Sequence, residues 1–288
     1  RSKIMALIQA EYFSTCLKRP VHFNAILPVD GMLGLPPGPL KPLKTLYMLH
    51  GYTGSSTGML SQEAELGQIA LLNNLAIIMP DGENHFYVDD LRRNDMYSEM
   101  IGHELVELTR HMFPLSDKRE DTILGGISMG GYGALRNGMK YSDVFGHIIG
   151  LSPANVIDQL PSSTETPNEV GATRSYFTSV FGDLDTVHER DADLEVCAKE
   201  MLASRRPIPD IYFACGWNDM LCVFNRKFHG FLKTIGVNHI YREGPGTHDS
   251  LFFMPHLHEA LARIDLDRLP ELPNPFLVDM SGGTPDDI

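Results

Sequence analysis

Positive charge is scarce in this chain: 24 Lys and Arg stand against 37 Asp and Glu, a formal net charge of −13. Nucleic acid and anionic membrane surfaces demand clustered cations, so neither is expected as a partner. Long apolar runs are also missing, and no segment approaches the length that spans a bilayer. The start, Arg1-Ser2-Lys3-Ile4-Met5, lacks the apolar core and small-residue cleavage site of a secretory leader, and residues 1–4 are candidates for a non-native extension ahead of Met5. Four cysteines (Cys16, Cys197, Cys215, Cys222) form no C-x-x-C pair and no zinc spacing, which points to reduced thiols and a cytoplasmic location. There is no H-E-x-x-H, His256-x-His258 would diverge on a helix, and Asp183, Asp185, Asp191 and Asp193 match a calcium loop in composition only. No metal is therefore expected. Repeats of solenoid length are absent as well.

What the chain does have is enough apolar sequence, 43% of 288 residues, to fill one large core. It reads as a single domain over residues 1–288. Residues 12–27 carry β-branched and aromatic residues in partial alternation, as in a hairpin at a sheet edge. Leu35-Pro36-Pro37-Gly38-Pro39 is a loop. Buried strands are expected at 43–49, 75–79, 145–151, 211–215 and 239–242, and a short apolar segment, Ile123-Leu124, runs into Gly126. Helical spacing occupies 62–73, 95–113, 134–139, 222–235 and 251–264 between them. In the helix over 95–113, Met100, Leu105, Leu108 and Met112 fall near one face. Short apolar strands alternating with helices mean an α/β fold, a mainly parallel sheet with helices on both faces. Residues 153–208 break this rhythm; polar, with helical patches near 176–181 and 194–202, they read as a cap-like insertion. A tail, 266–288, follows the last helix.

Gly126-Ile127-Ser128-Met129-Gly130 lies between a predicted strand and a predicted helix. G-x-S-x-G in that setting is a nucleophile elbow: a tight turn lifts the Ser128 hydroxyl above the sheet edge, and small neighbours make room. The pentapeptide alone is common by chance, so partners must decide. A serine needs a base and a group that orients the base. Of twelve histidines, His248 lies in the loop between the last strand and the last helix, whereas His103, His111, His256 and His258 sit within helical patterns. Asp219 directly follows the strand over 211–215. Asp210 precedes that strand, at the wrong end of the sheet, and Asp249 would have to turn back on its neighbour. The order Ser128, Asp219, His248 is that of α/β-hydrolases. Acyl transfer also needs donors for a developing oxyanion. The Met129 amide is one, and the amide of Tyr52, in the loop after the strand over 43–49, is the other, with Gly51 next in line. His50-Gly51, Asp81-Gly82, Ser128, Asp219 and His248 all follow predicted strands, the end at which such sheets bind ligands.

The blocks His50-Gly51-Tyr52-Thr53-Gly54, Pro80-Asp81-Gly82-Glu83-Asn84-His85-Phe86-Tyr87, Gly126 to Ala134, Cys215-Gly216-x-x-Asp219 and His248-Asp249 resemble the esterase D family, above all its bacterial tributyrin-esterase branch. The similarity runs from Met5 to about Ile264. It implies an α/β-hydrolase that cleaves short-chain acyl or aryl esters with a Ser–His–Asp triad and no cofactor. S-formylglutathione hydrolases, acetyl-xylan and feruloyl esterases and mycolyl transferases are relatives of that family. The loop after His50-Gly51 lacks the cysteine-bearing motif typical of the S-formylglutathione hydrolases. Trp217 stands where relatives often carry a small or polar residue. Phe86, Trp217 and Gly51 are the expected substrate contacts, with a small-molecule ester as the partner and homo-oligomerisation left open. Thioester hydrolysis, acyl transfer and an inert binding module on the same fold are the alternatives.

Overall fold

The computed structural model describes residues 6–29 and 42–268. The Pro-rich loop, residues 1–4 and the tail beyond Arg268 lie outside the described residues. The chain opens with an antiparallel hairpin, β1 (Ala6–Ser14) and β2 (Arg19–Leu27). Six further strands follow in one sheet: β3 (Lys44–Leu49), β4 (Leu75–Pro80), β7 (Thr122–Ile127), β8 (His147–Leu151), β9 (Asp210–Gly216) and β10 (Ile240–Gly244). The order is β1-β2-β4-β3-β7-β8-β9-β10; only the pairings of β2 are antiparallel. This is the α/β-hydrolase-like fold expected from the alternation of strands and helices. The hairpin begins at Ala6, earlier than expected, and β1 is the edge strand.

Both faces of the sheet are covered, which is why the inner strands read as continuous apolar runs. All six residues of β4 are buried. Period-two alternation sorts β3 between two cores. Tyr47 and Leu49 join Tyr132, Leu135 and Met139 of α4 (Met129–Lys140) on one face. Leu46 and Met48 join Leu66 and Ile69 of α1 (Glu63–Leu72) and Leu257 and Leu261 of α8 (Ser250–Ala262) on the other. α7 (Cys222–Thr234) packs Phe228 and Leu232 with the first group.

The helix expected over 95–113 is interrupted. Asp95–Met96 (β6) pairs with Asp89–Asp90 (β5), so helix begins only at α2 (Tyr97–Glu99). A π turn, Met100–Glu104, then joins α2 to α3 (Leu105–Met112). The extra residue rotates the phase: Met100 and Leu105 are buried, while Met112 is 47% exposed rather than on the core face. Within this turn the Glu104 carboxylate accepts from the Thr15 amide (2.5 Å), the Thr15 hydroxyl (2.6 Å) and the Ser14 hydroxyl, tying the hairpin turn to the helix.

Residues 153–208 contain α5 (Arg174–Phe181) and α6 (Leu194–Ala203). Their attachment to α4 is polar and buried. Arg136 is 1% exposed and donates to Asp191 Oδ2 (2.6 Å), the Asp191 carbonyl (2.9 Å) and Ser98 Oγ (2.7 Å), while the Tyr132 hydroxyl donates to the Ala192 carbonyl. Asp193 instead caps α6 at the Glu195 amide, so the acids of this stretch serve separate structural ends. Removing one partner of a buried ion pair leaves the other charge desolvated and uncompensated. Asp191→Ala should therefore cost about 3 kcal/mol of stability, the low end of that effect because Asp191 is partly solvated. Urea unfolding checks this; a midpoint unchanged from the parent would show that the pair does not hold the insertion down.

Candidate active site

β3 pairs with β4 on one side and β7 on the other, so the strand order reverses there, and a crevice opens at their carboxyl ends. Ser128 sits at that point, between β7 and α4, with φ 58° and ψ −117°. A left-handed φ on a non-glycine residue costs about 1–3 kcal/mol and persists only where its surroundings enforce it. Here the Ser128 amide donates to the Leu151 carbonyl (2.8 Å), and its carbonyl accepts from Tyr132 (2.9 Å) and Ala154 (2.9 Å). The flanking glycines are steric requirements. A Cβ on Gly126 would meet the Gly130 carbonyl oxygen at 2.2 Å, and one on Gly130 would meet the Leu49 carbonyl oxygen at 2.1 Å. Met129 is the first residue of α4, so its N–H is among those a helix leaves without an intrahelical acceptor.

Across the crevice, the loops after β9 and β10 are zipped together. Trp217 donates its amide to the Gly244 carbonyl (2.8 Å) and Asn218 to the Gly246 carbonyl (3.0 Å). A Cβ on Gly216 would lie 2.5 Å from the Gly246 oxygen, so glycine permits the approach. This brings Asp219 Oδ2 within 2.7 Å of His248 Nδ1, while Asp219 Oδ1 accepts from the Leu221 amide at 2.8 Å. Burial opposes ionisation of Asp219, but the hydrogen bonds from His248 and the Leu221 amide outweigh it and hold its pKa below the usual carboxylate range. An ionised carboxylate only accepts, so Nδ1 of His248 carries the proton and Nε2 is left as the basic atom. The ring rests edge-on against Phe253, with centroids 5.2 Å apart.

Ser128 and His248 line one cavity of about 470 Å³. No direct hydrogen bond joins them among the described residues; unliganded catalytic contacts are often long and close on substrate binding. Asp210, by contrast, starts β9 at the opposite end of the sheet and faces His147 (3.2 Å), and Asp249 caps α8 at the Leu251 amide (2.9 Å). A larger depression of about 750 Å³ lies at that opposite end, between His147, Asp210 and Arg263, and holds neither serine nor cysteine.

The loop after β3 closes the third side. Thr53 donates its amide to Asn84 Oδ1 (2.7 Å) and Gly54 to the Gly51 carbonyl (3.0 Å), while the Tyr52 amide has no partner among the described residues. A Cβ on Gly51 would sit 3.3 Å from Ser128 Cβ, which places this loop directly over the serine. His50 is 2% exposed and braces the loop from beneath: Nε2 accepts the Gly82 amide (2.9 Å), and Nδ1 then donates to the Gly51 carbonyl (2.8 Å). Left-handed backbone gathers at these strand ends, at Thr53, Glu83, Phe86, Tyr87, Ser128 and Ser152.

Of the expected substrate contacts, Phe86 lines the cavity; Gly51 is not on its wall, although it lies against Ser128. Trp217 is not on it either: it is 58% exposed and absent from the cavity wall. The turn it occupies is spent on joining the β10 loop, and Met220, Leu221 and Phe224 form that wall instead. The sequence does not single out Leu221 and Phe224, because it marks 222–235 only as a helix and Leu221 lies just before it. Tyr176 and Phe177 from the insertion complete the opposite wall; the Tyr176 hydroxyl donates to the Asn84 carbonyl (2.6 Å), and its ring meets that of Tyr52 at 5.5 Å. No sequence signal marked them beyond their place in a helical patch.

A hydrolase fold with an elbow serine, a carboxylate-oriented histidine and free amides at one cavity defines a serine hydrolase. Residues 14–198 match the family described as "Putative esterase", and the chain belongs to that family; it is a carboxylic ester hydrolase. It is 38% identical over 268 residues to an acetyl esterase of Caldicellulosiruptor saccharolyticus, covering 89% of this chain and 97% of that one. Among solved structures it is similar to a fluorophosphonate-binding serine hydrolase, FphF, of Staphylococcus aureus (26% identity, TM-score 0.78, 90% of this chain and 98% of that one). An S-formylglutathione hydrolase of the same organism is comparable (27%, 0.76, 90% and 98%). Among the described residues no helix is long and apolar enough to cross a membrane, and no three His, Cys, Asp or Glu are grouped to hold a metal ion.

Burial lowers the pKa of His50 below its ordinary value, against the weaker opposing effect of its bond to the Gly51 carbonyl. The unfolded chain then binds a proton that the folded one resists, so stability is full above the unfolded value near 6.5 and falls as pH drops from there through the folded pKa. His50→Gln, whose amide oxygen still accepts the Gly82 N–H, should flatten that fall by up to one proton. Denaturation midpoints from pH 7.5 to 5 would show this, and identical slopes in parent and variant would exclude it.

Proposed function

We propose that this protein is a short-chain carboxylesterase of the tributyrin-esterase branch of the esterase D family, acting on acetyl, butyryl and related aryl esters, feruloyl included. Ser128 Oγ attacks the ester carbonyl while His248 Nε2 takes its proton. The tetrahedral oxyanion is held by the Tyr52 and Met129 amides, and collapse expels the alcohol, which leaves with the proton from His248. Water, deprotonated by the same nitrogen, then attacks the acyl-enzyme and releases the acid and Ser128. Asp219 holds His248 in the required tautomer. The observation that carries this reading is the 2.7 Å His248–Asp219 bond on the wall of the cavity that also contains Ser128.

The cavity volume of about 470 Å³ fits a small acyl or aryl group, and its walls are largely aromatic and aliphatic. A small-molecule ester is the proposed partner, in the cytoplasm, where four free thiols remain reduced. The insertion over 153–208 supplies Ala154, Val156, Tyr176 and Phe177 to the wall and is proposed to set substrate size. Thioester hydrolysis is the second reading, favoured by the likeness to an S-formylglutathione hydrolase.

Ser128→Ala should abolish fluorophosphonate labelling and lower kcat by about 10⁴-fold or more, and Asp219→Asn should lower it by about 10⁴-fold with KM little changed. A panel of p-nitrophenyl acyl esters with methyl ferulate and S-formylglutathione, run on parent and variants, separates the readings. Undiminished turnover by Ser128→Ala would end the proposal.

A further inference from the structure

One charged group on the cavity wall has no role in the chemistry above. Glu169, in the insertion, lines the cavity together with Ser128 and His248, and no lysine or arginine is among the residues that do so. It makes no hydrogen bond or ion pair among the described residues. Its neighbour in sequence, Glu165, is engaged at the Ser175 hydroxyl (2.9 Å) and amide (3.4 Å).

The turn that carries Glu169 is closed on itself. Asn168 Oδ1 accepts from the Val170 amide (3.1 Å) and the Ala172 amide (2.8 Å), the Asn168 amide donates to the Ala172 carbonyl (2.9 Å), and the Gly171 amide donates to the Asn168 carbonyl (2.9 Å). Gly171 stands at φ +79°, a conformation that glycine accepts without strain. Glu169 is thus held, exposed, at the rim by a preformed loop, without an ionic partner among the described residues, in a cavity whose lining includes Tyr52, Phe86 and Tyr176.

We propose that Glu169 is a specificity-determining residue that sets the charge preference of the site, admitting uncharged and cationic esters and rejecting anionic ones. The inference rests on the ester-hydrolase reading of this same cavity and narrows it. An anion entering the cavity meets a fixed negative charge with no compensating cation, in a chain that already carries −13. A cationic group meets both the carboxylate and aromatic faces, the pairing that recognises ammonium ligands. Thioesters of glutathione, which carry two carboxylates and one ammonium, fall on the disfavoured side.

The test compares a neutral, an anionic and a cationic aryl acetate: phenyl acetate, 4-acetoxybenzoate and 3-acetoxy-N,N,N-trimethylanilinium. Values of kcat/KM are taken for the parent, Glu169→Gln, Glu169→Lys and the control Glu165→Gln. Each is expressed relative to phenyl acetate on the same enzyme, and comparing those ratios between enzymes cancels intrinsic reactivity. Glu169→Gln should raise the anion-to-neutral ratio by about three- to tenfold and lower the cation-to-neutral ratio by a similar factor, with Glu169→Lys going further in both directions. Salt at 0.5 M should shrink the differences, and Glu165→Gln should leave both ratios within twofold of the parent. Ratios unchanged in both Glu169 variants, with phenyl acetate still hydrolysed and Ser128 still labelled by a fluorophosphonate, would overturn this inference alone. A parent that hydrolyses none of the three and is not labelled at Ser128 would overturn the ester-hydrolase reading and this inference with it.

Discussion

The site depends on a steric bargain at one turn. For Ser128 to stand above the sheet, its backbone must enter a left-handed conformation worth about 1–3 kcal/mol of strain, and the chain must fold back within van der Waals contact of itself. Gly126 against the Gly130 carbonyl and Gly130 against the Leu49 carbonyl make that approach feasible. The strain is held by what surrounds it: the Ser128 amide is bonded to β8, its carbonyl to Tyr132 and Ala154, and α4 is packed over all but its last residue. The same compression presents the Met129 amide, so the proposed nucleophile and the proposed anion-binding donor arise from one backbone event.

Much of this was legible in the sequence because it is local. The G-x-S-x-G turn, the glycine-bearing loop after His50 and the strand-to-helix alternation each lie within a few residues, where steric rules act directly. The acid and base were legible for a different reason. A parallel sheet puts all its strand ends on one rim, so Asp219 and His248 could be placed by their position after β9 and β10 without any knowledge of their contact. What escaped the sequence is what depends on long-range packing. The π turn at Met100–Glu104 answers to the hairpin turn at Ser14–Cys16, far away in the chain. Trp217 was expected at the pocket from its neighbourhood to Asp219, yet a side chain two residues from a functional one can face away when the turn between them is consumed by pairing with the next loop.

The loop after β3, which carries the proposed Tyr52 donor, is exposed yet tethered from beneath. Thr53 is solvent-exposed, as is the Asn84 side chain that accepts its amide, but the loop hangs from buried points: His50 bonded to Gly82 and Gly51, and the Tyr87 hydroxyl bonded to the His50 carbonyl (3.0 Å). A Cβ on Gly82 would fall 2.1 Å from the Tyr87 ring, so the Asp81-Gly82 segment and the Phe86-Tyr87 segment are fitted to each other. The bonds made by His50 and the Tyr87 hydroxyl are buried, and a low-dielectric setting makes such bonds strong when complete. His50 must be neutral to serve, since a doubly protonated ring could not accept the Gly82 amide.

Coupling between cap and nucleophile follows from where the insertion is anchored. Arg136 and Tyr132 lie on α4, one to two turns from Ser128, and both reach into residues 191–192. The other end of the insertion reaches the oxyanion loop through Tyr176, by its hydrogen bond to Asn84 and its ring contact with Tyr52. The wall of the cavity is therefore tied to α4 and to the loop after β3 as well as to the strands that the insertion connects. A change in the packing of residues 153–208 would reach the loop that carries the Tyr52 amide as well as the shape of the cavity. That is a reason for a preformed turn, closed by Asn168 and Gly171, to carry the rim residues: it lets their chemistry vary while the anchored wall stays in place.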